Sequence, residues 1–206
     1  MAMAKTANVD VEQVTNDGAA AISLPYTVSV TIEGACPILF HKWSCEAVEA
    51  KAKAAKGSKA KKEDDWESYL YRDDRGNIAI PGEYLRQSII EASKYRQDPR
   101  SPRKSARDLF KAAIISLTDL ASTGAMEPDY LDRRRVTVMR AGITRVRPAL
   151  NAGWKAAFQL MVQTPEYISP QTLNGVIVDA GRLVGVGDFR PSYGRFNVVG
   201  FEVLEQ

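Results

Sequence analysis

Between Gly181 and Phe201 the chain reads GRLVGVGDFRPSYGRFNVVGF. An apolar, helix-like run breaks into a loop holding Gly185, Gly187, Arg190 and Gly194, then re-emerges as Arg195-Phe196-Asn197-Val198-Val199. The segment predicts helix, glycine loop and terminal strand in that order. Clustered glycines let a backbone take positive φ and approach a ligand without a Cβ in the way, and N–H groups gathered in such a turn favour anions. Arg182, Arg190 and Arg195 surround the loop with charge. A helix C-cap followed by a tight turn is the plainer account of the same glycines.

Two phosphate motifs are excluded. No lysine follows any of these glycines, as a Walker loop requires. Gly185-Val186-Gly187 follows a helix rather than a strand, and Arg190 sits where the dinucleotide fingerprint needs its third glycine.

Charge is distributed unevenly. From Lys94 to Arg107, six basic residues (Lys94, Arg96, Arg100, Arg103, Lys104, Arg107) face Asp98 alone, a net of +5. From Arg133 to Arg147, Arg133, Arg134, Arg135, Arg140, Arg145 and Arg147 stand without an acid, a net of +6. The whole chain carries only +3, so everything else sums to −8. Positive charge gathered into two segments is the footprint of a polyanion partner. A loop selected for solubility alone would mix both signs.

At 206 residues and 45% apolar content the chain can bury a full core as one domain with an insertion. No run approaches the roughly 20 apolar residues of a membrane span, and the N-terminus has no apolar signal core, so the expectation is a cytoplasmic protein with no membrane partner. Cys36 and Cys45 lie nine apart, and His41 is the only histidine, too few ligands for structural zinc. No metal and no cofactor are expected.

In chain order, residues 1–24 read as a mobile tail. Tyr26 to Glu33 alternates as a half-buried strand, and the apolar piece Cys36 to Trp43 is expected to pack under the sheet. Ser44 to Trp66 reads as a Ser-capped helix running into a lysine-rich tract, an insertion at about 44–68. Tyr69 to Ile80 reads as a hairpin turning at Asp-Asp-Arg-Gly-Asn, followed by a helix with Leu85, Ile89 and Ala92 on one face. Ala113 to Leu120 reads as a strand, with a helix through Leu109 and Ala113 as its competitor.

Arg133 to Leu150 carries β-branched alternation on both sides of Ala141-Gly142, a long hairpin with its arginines on an exposed face. Projecting guanidinium groups suit phosphate, being permanently charged and forked. Trp154 to Val162 follows as a strand. Ser169-Pro170 then opens a helix, with Ser at N-cap and Pro at N1, running to about Leu183. With the insertion and hairpin set aside, the order is strand, helix, strand, strand, helix, strand. That is an α+β, ferredoxin-like βαββαβ core.

Against this order several stretches resemble the RAMP superfamily of CRISPR-associated RNA-binding proteins. Asn77-Ile78-Ala79-Ile80-Pro81-Gly82-Glu83-Tyr84-Leu85-Arg86 is similar to the family's Ile-Pro-Gly-Ser-Ser-Leu-Lys/Arg helix opening, with Glu83-Tyr84 in place of the small pair. Ile115-Ser116-Leu117-Thr118-Asp119 resembles its second strand. Arg135 to Phe158 resembles the thumb hairpin and following strand of its backbone subunits. The glycine loop, interrupted here by Asp188 and Pro191, resembles the superfamily's hallmark. The resemblance spans roughly Tyr26 to Val203, so residues 25–206 read as one RAMP-type domain with a thumb-like hairpin at about 133–150.

What the resemblance implies is binding of single-stranded RNA, or DNA, by copies stacked side by side as a homo-oligomer or filament, within a larger ribonucleoprotein complex. Arginine contacts to phosphate would bind without reading bases. The expected site residues are Arg133, Arg134, Arg135, Arg140, Arg145 and Arg147 on the hairpin. Around the glycine loop they are Arg182, Gly185, Gly187, Arg190, Tyr193, Gly194 and Arg195, with Tyr193 the better candidate for base stacking and Phe196 a core residue. After the first helix they are Lys94, Arg96, Arg103 and Lys104. The expectation is not an enzyme. Two alternatives stay open: a metal-independent ribonuclease using His41, which a packed or binding role outweighs, and a structural assembly protein without nucleic acid.

Overall fold

The computed structural model describes residues 24–43, 45, 49, 53, 65–138 and 141–204, with side chains described outside 135–144. Tyr26–Gly34 forms β1, whose alternation buries Val28, Val30 and Ile32 completely while Thr27, Ser29 and Thr31 face the other way. Ile38–Leu39 is β2 and Ala79–Pro81 is β3, which leads into helix α1 at Gly82–Ser93. Gln97–Asp98 (β4) and Ser101–Ser105 (β5) form a short ribbon ahead of helix α2, Arg107–Ala113. Then come β6 (Ile114–Ser116), β7 (Leu120–Ser122), β8 (Tyr130–Val138), β9 (Ala141–Leu150) and β10 (Lys155–Val162). Helix α3 (Pro170–Leu183) and β11 (Phe196–Leu204) complete the described chain.

The main sheet is antiparallel throughout, in the order β11-β1-β10-β6. Val30 at its centre lies opposite Phe158 on one side and Phe201 on the other. Leu85, Ile89 and Ala92 of α1 and Leu173, Val176, Ile177 and Ala180 of α3 are fully buried in the same core as the inward side chains of the sheet, and the two helices touch. Full burial of a Val, Leu or Ile side chain stabilises by roughly 1.5–3 kcal/mol, so this layer is the main apolar reservoir of the fold. The elements β1, α1, β6, β10, α3 and β11 follow the expected βαββαβ order. Ser169 caps α3 as anticipated, its hydroxyl accepting the Thr172 N–H at 3.2 Å, with Pro170 behind it.

A second sheet, β2-β9-β8, holds the base of the arginine-rich hairpin against the body. The architecture is α+β, with α1 to α3 accompanying several antiparallel sheets. No described helix is long and apolar enough to cross a membrane.

Several expectations are corrected. Val138 pairs with Ala141 and Thr137 with Gly142, so Ala141-Gly142 already belongs to β9. β-Branched alternation marked both strands, but the register is chosen by pairing across them. The Asp73–Asn77 turn forms and closes on an Arg72–Ile78 bridge, with Ala79 N–H donating to Tyr71 O at 2.9 Å, but β3 finds its strand partner in β7. Both readings of the Leu109 to Leu120 stretch are realised in succession, as α2 then β6. Ile38, Leu39 and Phe40 pack inside, whereas Trp43 is 71% exposed. The first basic segment carries the β4-β5 ribbon. Of the anticipated helix after Ser44, only Cys45, Glu49 and Lys53 are described ahead of residue 65, all helical, with Lys53 3.9 Å from Glu49. The rest of that helix and residues 1–23 of the tail lie outside the described residues.

Candidate nucleic-acid interface

The glycine loop begins where α3 ends. Gly185 N–H donates to Ala180 O at 2.8 Å, and Gly185, Gly187 and Gly194 take φ of 79°, 81° and 72°. The loop then folds back on itself and onto the β2 segment. Val186 N–H donates to Gly194 O at 2.9 Å, Asp188 N–H to Leu39 O at 2.9 Å and Gly194 N–H to Pro37 O at 2.8 Å. The amides of Gly185 and Gly194 therefore point into the protein and are consumed there, and both residues are buried. The expectation that they cradle an anion with their N–H groups is not met. Their glycine character answers a steric need, since a Cβ on Gly194 would lie 1.7 Å from Val186 O and one on Gly187 2.7 Å from Leu39 O. What the loop offers a ligand is its rim, the side chains of Phe189, Arg190, Tyr193 and Arg195.

The hairpin supplies the facing side. Cross-strand pairing sets Asp132 opposite Arg147 and Arg134 opposite Arg145, so these four share one face, while Arg133 lies on the other with Val146. The arginines do not all project into solvent. Arg147 is 6% exposed, and its Nε donates to Asp188 Oδ2 at 2.5 Å, because a guanidinium removed from water needs a carboxylate.

Arg134 donates to Asp132 Oδ1 at 2.9 Å and to the Tyr193 hydroxyl. Its guanidinium carbon lies 4.9 Å from the Tyr193 ring centre and 5.4 Å from that of Phe189; the Arg147 guanidinium is 5.3 Å from Phe189. The Asp132 hydrogen bond holds Arg134 above its ordinary pKa. Arg145 Nη1 is 3.0 Å from His41 Nε2, and the His41 ring lies 4.5 Å from Tyr69. A guanidinium has no lone pair to offer, so in this contact Nε2 is the acceptor. Arg133 is exposed; Arg140 and the Arg135 side chain lie outside what is described.

The remaining expected cations divide. Arg96 Nη2 is 2.5 Å from Asp179 and Arg182 Nη2 3.3 Å from the same carboxylate, so Asp179 brings the segment after α1 together with the end of α3. Lys94 lies 3.7 Å from Glu91, whose other oxygen takes Arg107 at 2.5 Å, and that hydrogen bond holds Glu91 below the usual carboxylate range. Arg103 and Lys104 project from β5, and among the described residues no hydrogen bond or ion pair joins them to the glycine loop. Among the described residues, Arg103, Lys104, Arg133, Arg190 and Arg195 have no carboxylate within ion-pair distance. Arg145, bonded to His41, likewise has no carboxylate partner among the described residues.

Two site features escaped the sequence. Phe189 is the only non-glycine among the described residues at positive φ (60°), it is 41% exposed, and nothing in the sequence signals that backbone state. Asp188 reads as an interruption of the loop, yet it is the counter-charge of the buried hairpin arginine.

No protein-family model matches the chain, and no curated protein matches it. Among solved structures, a chain of the type III-B Cmr-beta complex bound to cognate target RNA, determined by cryo-EM, is similar at a TM-score of 0.53 and 10% sequence identity, over 88% of this chain and 61% of that one. A chain of the crystallographic Csm3-Csm4 subcomplex of the type III-A CRISPR-Cas interference complex aligns over 88% of this chain and 80% of that one, at 15% identity and a TM-score of 0.39. The fold is thus similar, at low sequence identity, to that of a chain of the type III-B Cmr-beta complex. The chain spans about 61% of the length of the first of these.

Proposed function

We propose that this chain binds single-stranded nucleic acid, RNA in preference to DNA, along the rim where the glycine loop meets the hairpin base. The observation that carries the reading is the composition of residues 189–195. Two partly exposed rings, Phe189 and Tyr193, alternate with Arg190 and Arg195, which no described carboxylate neutralises. Aromatic faces accept any base, and unmatched guanidinium groups accept phosphate, the combination that sequence-independent strand binding needs. Arg145, on the same hairpin face as Arg134, extends the positive charge, and Arg134 holds the Tyr193 ring in place.

In its finer form the fold is read as ferredoxin-like and RAMP-type, with copies side by side along one strand and room for other subunits of a ribonucleoprotein. The fold likeness to a chain from an RNA-bound complex supports RNA over DNA. The activity proposed is binding without cleavage: the His41 Nε2 lone pair, which a general base would use, is engaged by Arg145.

Titration of labelled single-stranded RNA and DNA, followed by fluorescence anisotropy and light scattering, tests the reading. Salt-sensitive binding and a complex whose mass grows with strand length are expected. A species of constant mass that binds neither strand at low salt would overturn it.

A further inference from the structure

An open groove of about 550 Å³ runs between the end of α1 and the glycine loop, walled by Lys94, Tyr95, Leu183, Phe189 and Arg190. Phe189 belongs both to this groove and to the hairpin cluster, where Arg134 and Arg147 lie against its ring. It is held at a positive φ that a bulky side chain adopts only when its surroundings impose it, a state that clusters at ligand clamps. Tyr95, 61% exposed, supplies a second aromatic wall.

The charges at the groove are unequal. Asp188 is committed to Arg147, and Glu91 is shared between Arg107 and Lys94. With Arg107 and Arg147 counted, the groups at the groove keep a net positive charge, and Arg190 is the lining cation with no carboxylate partner, beside two aromatic surfaces. An inorganic anion would leave the rings uncovered and an aliphatic ligand would leave the cations unmatched. A planar ring carrying a phosphate uses both, and the volume is within the range of a small-ligand cleft.

We infer that the groove takes one unstacked nucleotide of the bound strand, its base against Tyr95 and Phe189 and its phosphate on Lys94 and Arg190. This rests on the single-strand reading above and adds to it a defined seat for one base, reached over Phe189 from the hairpin side.

The test uses the full chain with RNA carrying one 5-iodouridine, irradiated when bound and mapped by mass spectrometry, alongside affinities of Tyr95→Ala and Leu183→Trp. Cross-links at Tyr95 or Phe189 are expected. Each variant is expected to weaken strand binding about tenfold with thermal melting unchanged, the first by removing a stacking surface and the second by filling the groove. Cross-links confined to other residues, with parental affinity in both variants, overturn the groove and leave strand binding standing. Absence of binding by the unaltered chain removes both.

Discussion

Arg147 and Asp188, 41 residues apart, close a 2.5 Å ion pair that fastens the base of the hairpin to the glycine loop. The arginine is nearly buried and the aspartate a third exposed, so water cannot replace the carboxylate if it is removed. Breaking a fully buried pair costs roughly 3–5 kcal/mol, and the partial exposure here lowers that to about 2–3 kcal/mol. Asp188→Ala should lose this much stability in urea titration, while Arg147→Met combined with Asp188→Ala recovers part of it. A double-variant loss equal to the sum of the Asp188→Ala and Arg147→Met losses would show that the pair does not couple.

Arg134 lies against the Tyr193 ring and also bonds its hydroxyl. Tyr193→Phe keeps the ring and should leave strand affinity within about twofold. Tyr193→Ala removes the stacking surface and should cost about 1–3 kcal/mol of binding. Anisotropy titrations of the two variants separate the ring from the hydroxyl.

Arg133, Arg190 and Arg195 have no described carboxylate partner, so their charge is available to phosphate. Replacing all three by Ala should reduce the slope of log K against log salt by about 2 if each releases one counterion from a single strand, with no change in base preference. A slope equal to that of the parent would remove these residues from the interface.

Gly76 and Gly194 have nearly the same dihedral, φ of 82° and 72°, in opposite surroundings. A Cβ on Gly76 meets nothing within 4 Å, whereas one on Gly194 lands 1.7 Å from Val186 O. Gly76→Ala should cost only the left-handed backbone penalty of about 1–2 kcal/mol. Gly194→Ala should cost distinctly more, because the loop must open, and the difference is read from the two thermal melts.

Asp73 anchors the turn before β3. The Ser122 side chain is the main cause of its lowered pKa, and the Asn77 and Arg75 N–H groups add to it, bringing the carboxyl down to about 2. Its folded value is below the unfolded one near 4, so its contribution is present above pH about 4 and is lost as pH falls toward 2. Asp73→Asn should flatten that part of the stability–pH curve. Asp98, lowered to about 2 chiefly by its Arg100 hydrogen bond, retains its own acid dependence in the variant.

The βαββαβ order, the Ser169-Pro170 start of α3 and the burial of Leu85, Ile89 and Ala92 were legible in the sequence. Each depends on local periodicity or on a cap within a few residues. Two concentrations of positive charge were equally legible, since charge is counted along the chain. Which of those charges face a ligand was not legible. Asp188 neutralises Arg147 and Asp179 neutralises Arg96 from distant positions, and β-sheet register sends Arg133 to one face and Arg134 to the other. The glycines marked a loop, but only its docking on Pro37 and Leu39 turns the Asp188 and Gly194 amides inward and leaves the side chains of Phe189, Arg190, Tyr193 and Arg195 on its rim. Local pattern determined the elements and their order; pairing between segments far apart in sequence decided which cations and rings the surface presents.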